Sequence, residues 1–180
     1  VFNMKATGIV RRIDELGRIV IPKEIRKTMR IREGENIEIY TDTNDEIVLR
    51  KYSIMKKLGD FAQVYADSIN NFLKKNVIIT DSDNIIAASG ELKRNLMNKE
   101  LSDELINSIK RRESILEKHM KTLKLTEELS LDCTYVIDSI ICNGDSVGLV
   151  LIFSKIDKIS EIDEKIAQIA AEFLSKYLEA

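Results

Sequence analysis

Six cations fall within the stretch RRIDELGRIVIPKEIRK (11–27), and their spacing decides what chemistry they can do. In PKEIRKTMR the side chains of Lys23, Arg26, Lys27 and Arg30 recur at i, i+3, i+4 and i+7, which gathers them on one side of a helix, with Ile25 and Met29 on another. Like charges at that spacing repel, so a helix that needs only solubility mixes Glu among its Lys; here Glu24 lies off the stripe. Arg11, Arg12 and Arg18 flank a turn, and Gly17 lets the backbone bend sharply just before Arg18. Arginine donates two parallel hydrogen bonds from a planar fork, which suits phosphates and guanine edges. Doubled in a symmetric dimer, such a surface fits a duplex better than a small phosphate compound. Spacing alone leaves two readings open, a nucleic-acid surface and a solvated basic face, with other anionic partners behind them.

Other residues with chemical potential are few. His119 is the sole histidine and sits in a lysine-rich helical or loop stretch with no partnering Cys or acid pattern, so a surface place is expected. Cys133 and Cys142 are the only cysteines, nine residues apart on expected strands or strand edges. They read as reduced thiols with a buried structural role, a redox pair being the rarer alternative. Asp81, Asp83 and Asp145 lie in turn sequences and read as turn residues before ligands. With no metal-ligand cluster and no phosphate loop, no catalytic residue, metal or cofactor is expected.

The net charge of −2 conceals an asymmetry: residues 4–32 carry +6, residues 33–52 carry −4, and residues 53–180 carry −4. A basic head on an acidic body suggests a polyanion-binding end. The 44% apolar and 32% charged content of the 180 residues is that of a soluble globular protein. No apolar run approaches the roughly 18–20 residues of a transmembrane helix, and the start lacks a signal-peptide core, MKATG reading as a natural start at Met4. The expectation is a cytoplasmic protein with no membrane partner.

The elements that must position the cations are short. TGIVRRI (7–13) and RIVI (18–21) read as strands around DELG, Pro22 opens a two-turn helix over KEIRKTMR, and EGENIEIY and EIVLRK are two further strands. In EGENIEIY, Ile37 and Ile39 share one face. This β-β-α-β-β unit (4–53) is at the low end for a self-sufficient core, so dimerisation is expected to stabilise it. A linker helix (54–75) carries the stripe Ile54, Leu58, Phe61, Ala62, Tyr65, Ile69, Phe72 and Leu73, which packs either on its own domain or on a partner's helix. The remainder (76–180) reads as α+β. Two strands flank the turn DSDN, and residues 91–112 are a charged helix with Leu101, Leu105, Ile106 and Ile109 inward. A long hairpin follows about NGD over 133–155, then a last helix from about Ser160 to Leu178. Ser160 is its cap, Asp163 stands at the capping-box position, and Ile162, Ile166, Ile169, Ala170, Phe173 and Tyr177 form its stripe.

The run MKATGIVRRIDELGRIVIPKEIRKTMRIREGENIEIY (4–40) resembles the AbrB-type swapped-hairpin DNA-binding domain of bacterial transition-state regulators. The continuation KYSIMKKLGDFAQVYADSI, with NGD and IFSK further on, is similar to the sporulation regulators of that family whose C-terminal half is a GAF domain. The resemblance implies an α+β chain: an intertwined swapped-hairpin β-barrel dimer (ββαββ per chain), a linker helix and a GAF-like α/β sensory domain. It further implies double-stranded DNA as partner, a homodimer assembled into a homotetramer, and transcriptional control of late sporulation genes. Arg11, Arg18, Arg26 and Lys27 correspond to the family's main DNA-contacting positions, with Arg12 and Lys23 as supporting cations. The pair after EI is usually Arg-Arg, so Lys27 retains a phosphate contact and not a bidentate one. Recognition of this kind reads DNA shape more than a strict base code. For the second domain the resemblance implies a small-molecule pocket between sheet and helices, with no ligand indicated. Two rival functions remain: an antitoxin of the same N-terminal fold, and a thiol-dependent reductase, since some GAF proteins reduce methionine sulfoxide.

Overall fold

The computed structural model describes residues 6–180, so the start read at Met4 lies outside the described residues. The chain divides after Tyr52 into two compact units.

The first unit holds helix α1 (Lys23–Thr28) and the antiparallel hairpin of β1 (Ile37–Thr41) and β2 (Ile47–Lys51). Its register runs from Ile37↔Lys51 to Thr41↔Ile47. At its tip the Asp42 Oδ1 accepts the backbone N–H groups of Asn44 (2.9 Å) and Glu46 (3.1 Å), an Asx turn that places Asp45 at a φ of +60°. The two strands expected over 7–13 and 18–21 do not form in the single chain; both segments lack regular structure on either side of a turn and are exposed, Ile21 alone being half-buried. A strand needs a neighbour for its backbone groups, and among the described residues neither segment is paired in a ladder. Val10 is 86% exposed, and Ile13, Leu16, Ile19 and Val20 are exposed with it. Ile39, expected on a covered face with Ile37, is exposed too. Among the described residues of this unit Pro22 is buried, whereas no Ile, Leu, Val, Met or Tyr side chain is.

The second unit is one antiparallel sheet in the order β4-β3-β7-β6-β5 with helices on both faces. Its elements are a 3₁₀ turn (Ile54–Leu58), α2 (Phe61–Leu73), β3 (Asn76–Thr80), β4 (Ile85–Ser89), α3 (Lys93–Leu96), α4 (Asp103–Lys110), β5 (Ser114–Lys124), β6 (Ser130–Cys142), β7 (Asp145–Ser154) and α5 (Glu161–Glu179). Alternate residues of the sheet feed two cores. Val77, Ile79, Val136, Ile140, Val150 and Ile152 pack with α2 and α5. Ile78, Ile137, Leu149, Leu151 and Phe153 pack with α3 and α4. β3 is buried along its whole length, as a strand covered on both faces must be.

Four expectations differ from this structure. The helix over 54–73 is broken at Gly59, whose φ is +49°, and Met55, Leu58, Ala62, Ala66 and Ile69 are buried in the second unit's own core. The single helix over 91–112 is two, because Asn98 takes a left-handed φ of +59° and residues 98–100 turn aside to cover β4 through Asn98–Ile85, Ile85–Lys99 and the Asn84–Glu100 bridge. Its expected inward residues Leu101, Leu105, Ile106 and Ile109 are indeed buried. Residues 114–124 form the edge strand β5, and His119 lies exposed at a bulge where three residues oppose one of β6. Finally α5 begins at its Ser160–Asp163 capping box but turns only Ile166 and Ala170 of its expected stripe toward the core. Ala167, Ala170, Ala171, Leu174 and Leu178 meet the sheet, while Ile162, Ile169, Phe173 and Tyr177 point away from it. Three alanines let the helix lie close on the strands, and its bulkier side chains are left outside.

Candidate nucleic-acid interface

The turn before Arg18 is closed by Asp14. The Asp14 N–H donates to the Arg18 carbonyl (3.0 Å) and the Gly17 N–H to the Asp14 carbonyl (2.9 Å), enclosing the three-residue loop Glu15–Leu16–Gly17. Gly17 has a φ of +75°, the left-handed position such a hairpin loop requires at its third residue. Asp14 Oδ1 accepts the backbone N–H groups of Leu16 (3.0 Å) and Arg18 (2.8 Å), and its Oδ2 accepts Arg18 Nε at 2.7 Å. The Arg18 backbone N–H and then its guanidinium hold the Asp14 carboxyl below its ordinary value, so it is an anion throughout the neutral range. Arg11 and Arg12 stand exposed in the segment before the turn.

Helix α1 brings Lys23, Arg26 and Lys27 together on an exposed surface. Pro22 sits at its N-cap, not inside its first turn, with φ −57° and ψ 147°. Arg30 does not join the stripe. The helix ends at Thr28, Arg30 takes a φ of +51°, and the Ile31 N–H reaches back to the Arg26 carbonyl (2.7 Å) while the Arg30 N–H reaches that of Lys27 (3.2 Å). This is a Schellman ending with arginine where glycine is usual. Lys51 Nζ closes it further by donating to the Arg30 carbonyl at 2.9 Å. Glu35 draws in both Arg32 (2.7 Å) and Lys51 (3.2 Å), which takes two cations out of the basic surface. Asp14, Glu35 and Lys51 were not singled out by spacing; Asp at the head of an x-x-Gly turn is the signal that marks Asp14. Nearby, the Arg50 guanidinium lies 4.9 Å from the Tyr40 ring centre.

The thiols of the second unit are not a pair. Cys133 belongs to the core under α3 and α4, and Cys142 to the core under α2 and α5. They lie at opposite ends of β6, about 30 Å apart at the rise of a strand. Burial, with Asp132 adding to it, pushes the Cys133 thiol up to about 12, and burial also raises Cys142. A shallow cleft of about 340 Å³ between β6 and α5 is lined by Asp138, Ser139, Ile141, Gln168, Ala171, Glu172 and Ser175. Burial holds the Asp138 carboxyl above its ordinary value.

The comparisons with known proteins agree with this division. Residues 10–57 match the family described as antidote-toxin recognition MazE, bacterial antitoxin. The transition state regulatory protein AbrB of Bacillus subtilis is 38% identical over 106 residues, 59% of this chain and 90% of that one. Among solved structures, the GAF domain of Thermosynechococcus elongatus PixJ in its blue-light absorbing form superposes with a TM-score of 0.54 at 12% identity, covering 72% of this chain and 89% of that one. The type II free methionine-R-sulfoxide reductase of Thermoplasma acidophilum does so with a TM-score of 0.53 at 14% identity, covering 70% and 95%. Both likenesses are of fold. An AbrB-like unit followed by a GAF-like sheet defines a DNA-binding transcriptional regulator of mixed α+β architecture. Residues 57–179 match the family described as stage V sporulation protein T C-terminal, transcription factor, and the stage V sporulation protein T of Bacillus subtilis is 46% identical over 177 residues, 98% of this chain and 99% of that one. The chain belongs to the stage V sporulation protein T family of sporulation transcription factors.

Proposed function

We propose that Arg11, Arg18, Arg26 and Lys27, supported by Arg12 and Lys23, contact duplex DNA from paired N-terminal units (4–53), and that the chain controls late sporulation genes in the cytoplasm. One observation carries this reading: the first unit exposes both its cations and its large apolar side chains, so a second copy is needed to cover the latter and doubles the former. The helical stretch 54–75 and the GAF-like unit (76–180) join two such dimers into a tetramer through the outward side chains of α2 and α5, and this unit senses a signal or fixes the assembly alone. The thiol-dependent reductase reading finds no support here: the two thiols sit in separate cores, and the raised Cys133 is a poor nucleophile at neutral pH.

The test is DNA affinity over a range of salt. Arg11→Ala, Arg18→Ala and Arg26→Ala are each expected to weaken binding by about tenfold and to flatten the salt slope by roughly one unit per lost phosphate contact, with the dimer intact. Retention of wild-type affinity and slope by all three overturns the assignment. The match of residues 10–57 to the MazE antitoxins favours a second reading, a toxin-binding protein of the same N-terminal fold. A flexible acidic tail would then be expected after residue 53, and two packed cores speak against it.

A further inference from the structure

Asp14 makes two kinds of bond, and only one of them builds the turn. Oδ1 holds the backbone N–H groups of Leu16 and Arg18, as an Asn in the same place would. Oδ2 takes Arg18 Nε at 2.7 Å, which the turn does not require. That second bond puts an anion on a surface whose affinity for DNA comes from cations, where a carboxylate repels phosphates. A geometric gain explains it better than an electrostatic one. A guanidinium has five N–H donors; with Nε engaged, the four on its two terminal nitrogens remain as an end-on fork. Such a fork fits two acceptors lying in one plane, a guanine edge or a pair of phosphate oxygens. The Arg18 side chain is otherwise 70% exposed, and anchoring it before DNA arrives reduces the ordering left to binding.

We propose that Asp14 is a positioning residue for DNA recognition: by holding Arg18 Nε it presents the two terminal nitrogens of Arg18 to the paired acceptors of a guanine edge. The inference rests on Arg18 being a DNA contact. Charge and geometry make opposite forecasts for Asp14→Asn. The variant keeps the turn and gains one unit of net positive charge, so electrostatics alone tightens binding, whereas loss of the anchor weakens it.

The experiment compares two probes, a duplex selected by the wild-type protein from a random-sequence pool and poly(dA-dT), with native mass spectrometry as the control for assembly. Asp14→Asn is expected to bind the selected duplex about three- to tenfold more weakly and poly(dA-dT) no more weakly than wild type. In an Arg18→Ala background the same change is expected to cost nothing on either probe. Asp14→Ser, whose hydroxyl also accepts backbone N–H groups, carries the same expectation should the Asn variant fold poorly. If Asp14→Asn binds the selected duplex at wild-type strength or tighter while Arg18→Ala is weakened, the proposal is overturned and Arg18 stands as a contact. Equal weakening on both probes assigns Asp14 to the turn alone and overturns it too. An Arg18→Ala variant unchanged on both probes overturns the reading of Arg18 itself.

Discussion

Asp163 shows how much one side chain can join. It is 1% exposed, and its Oδ2 accepts Lys75 Nζ (2.7 Å), the Ser160 N–H (2.7 Å) and the Ser160 hydroxyl (2.8 Å), tying the start of α5 to the link between α2 and β3. Burial alone would raise the carboxyl, but the Lys75 ammonium and the two Ser160 donors outweigh it and hold it below its ordinary value. Its contribution to stability is therefore complete above the unfolded Asp value of about 3.9 and fades as pH falls through the lower folded one. Lys75→Met leaves the buried carboxylate without its cation and is expected to cost about 3–5 kcal/mol at pH 7. Without that cation, burial is opposed only by the two Ser160 donors, and the folded carboxyl rises. The variant's melting temperature is expected to gain on the wild type's as pH falls from 7 to 5, and a parallel pH profile for the two proteins would sink this account. At this scale the sequence is legible only locally. Ser160 and Asp163 stand three apart and declare a cap, and Gly17 declares a turn, but Lys75 lies 88 residues from its partner and no spacing rule reaches it. Arg30 was misplaced for a related reason: periodicity continues a helix until something stops it, and an arginine at positive φ carries no stop signal.

Among elements, those with strong local punctuation were legible and those shaped by packing were not. NGD set the β6–β7 hairpin, where Asn143 and Gly144 both have positive φ, as a two-residue turn between twisted strands requires. β5 was missed because it is an edge strand interrupted by a bulge, and its exposed lysines, which suit an edge, blur the alternation of a strand. The stripe of α5 was read from side-chain size, whereas the sheet selected small residues for close approach. Its outward face is the more consequential one. Ile169 is 63% and Phe173 45% exposed, and the rings of Phe61, Tyr65, Phe173 and Tyr177 stack between α2 and α5, Phe61 and Tyr177 at 4.9 Å. If this face joins dimers into tetramers, Ile169→Lys with Phe173→Lys is expected to give dimers in native mass spectra with an unaltered far-UV spectrum. Tetramers that persist would place the second contact elsewhere.

The whole molecule combines two units of unequal self-sufficiency. Residues 53–180 carry two apolar cores in a single copy, while the described part of the first unit buries Pro22 and no larger aliphatic or aromatic side chain. Limited proteolysis is therefore expected to leave a resistant fragment beginning near residue 53, and its melting temperature is expected to match the main transition of the intact chain. Loss of the C-terminal part to the protease at the same rate as the N-terminal part would instead favour the antitoxin-like reading. The placement of the cysteines has a different use. β6 carries one thiol into each of the two layers of the sheet, and a buried thiol reacts with an added disulfide reagent only when its own layer opens. Single-cysteine variants thus turn one strand into a pair of independent clocks, Cys142 timing the loosening of α2 and α5 and Cys133 that of α3 and α4, so that a signal reaching this domain could be assigned to a face before its chemical identity is known.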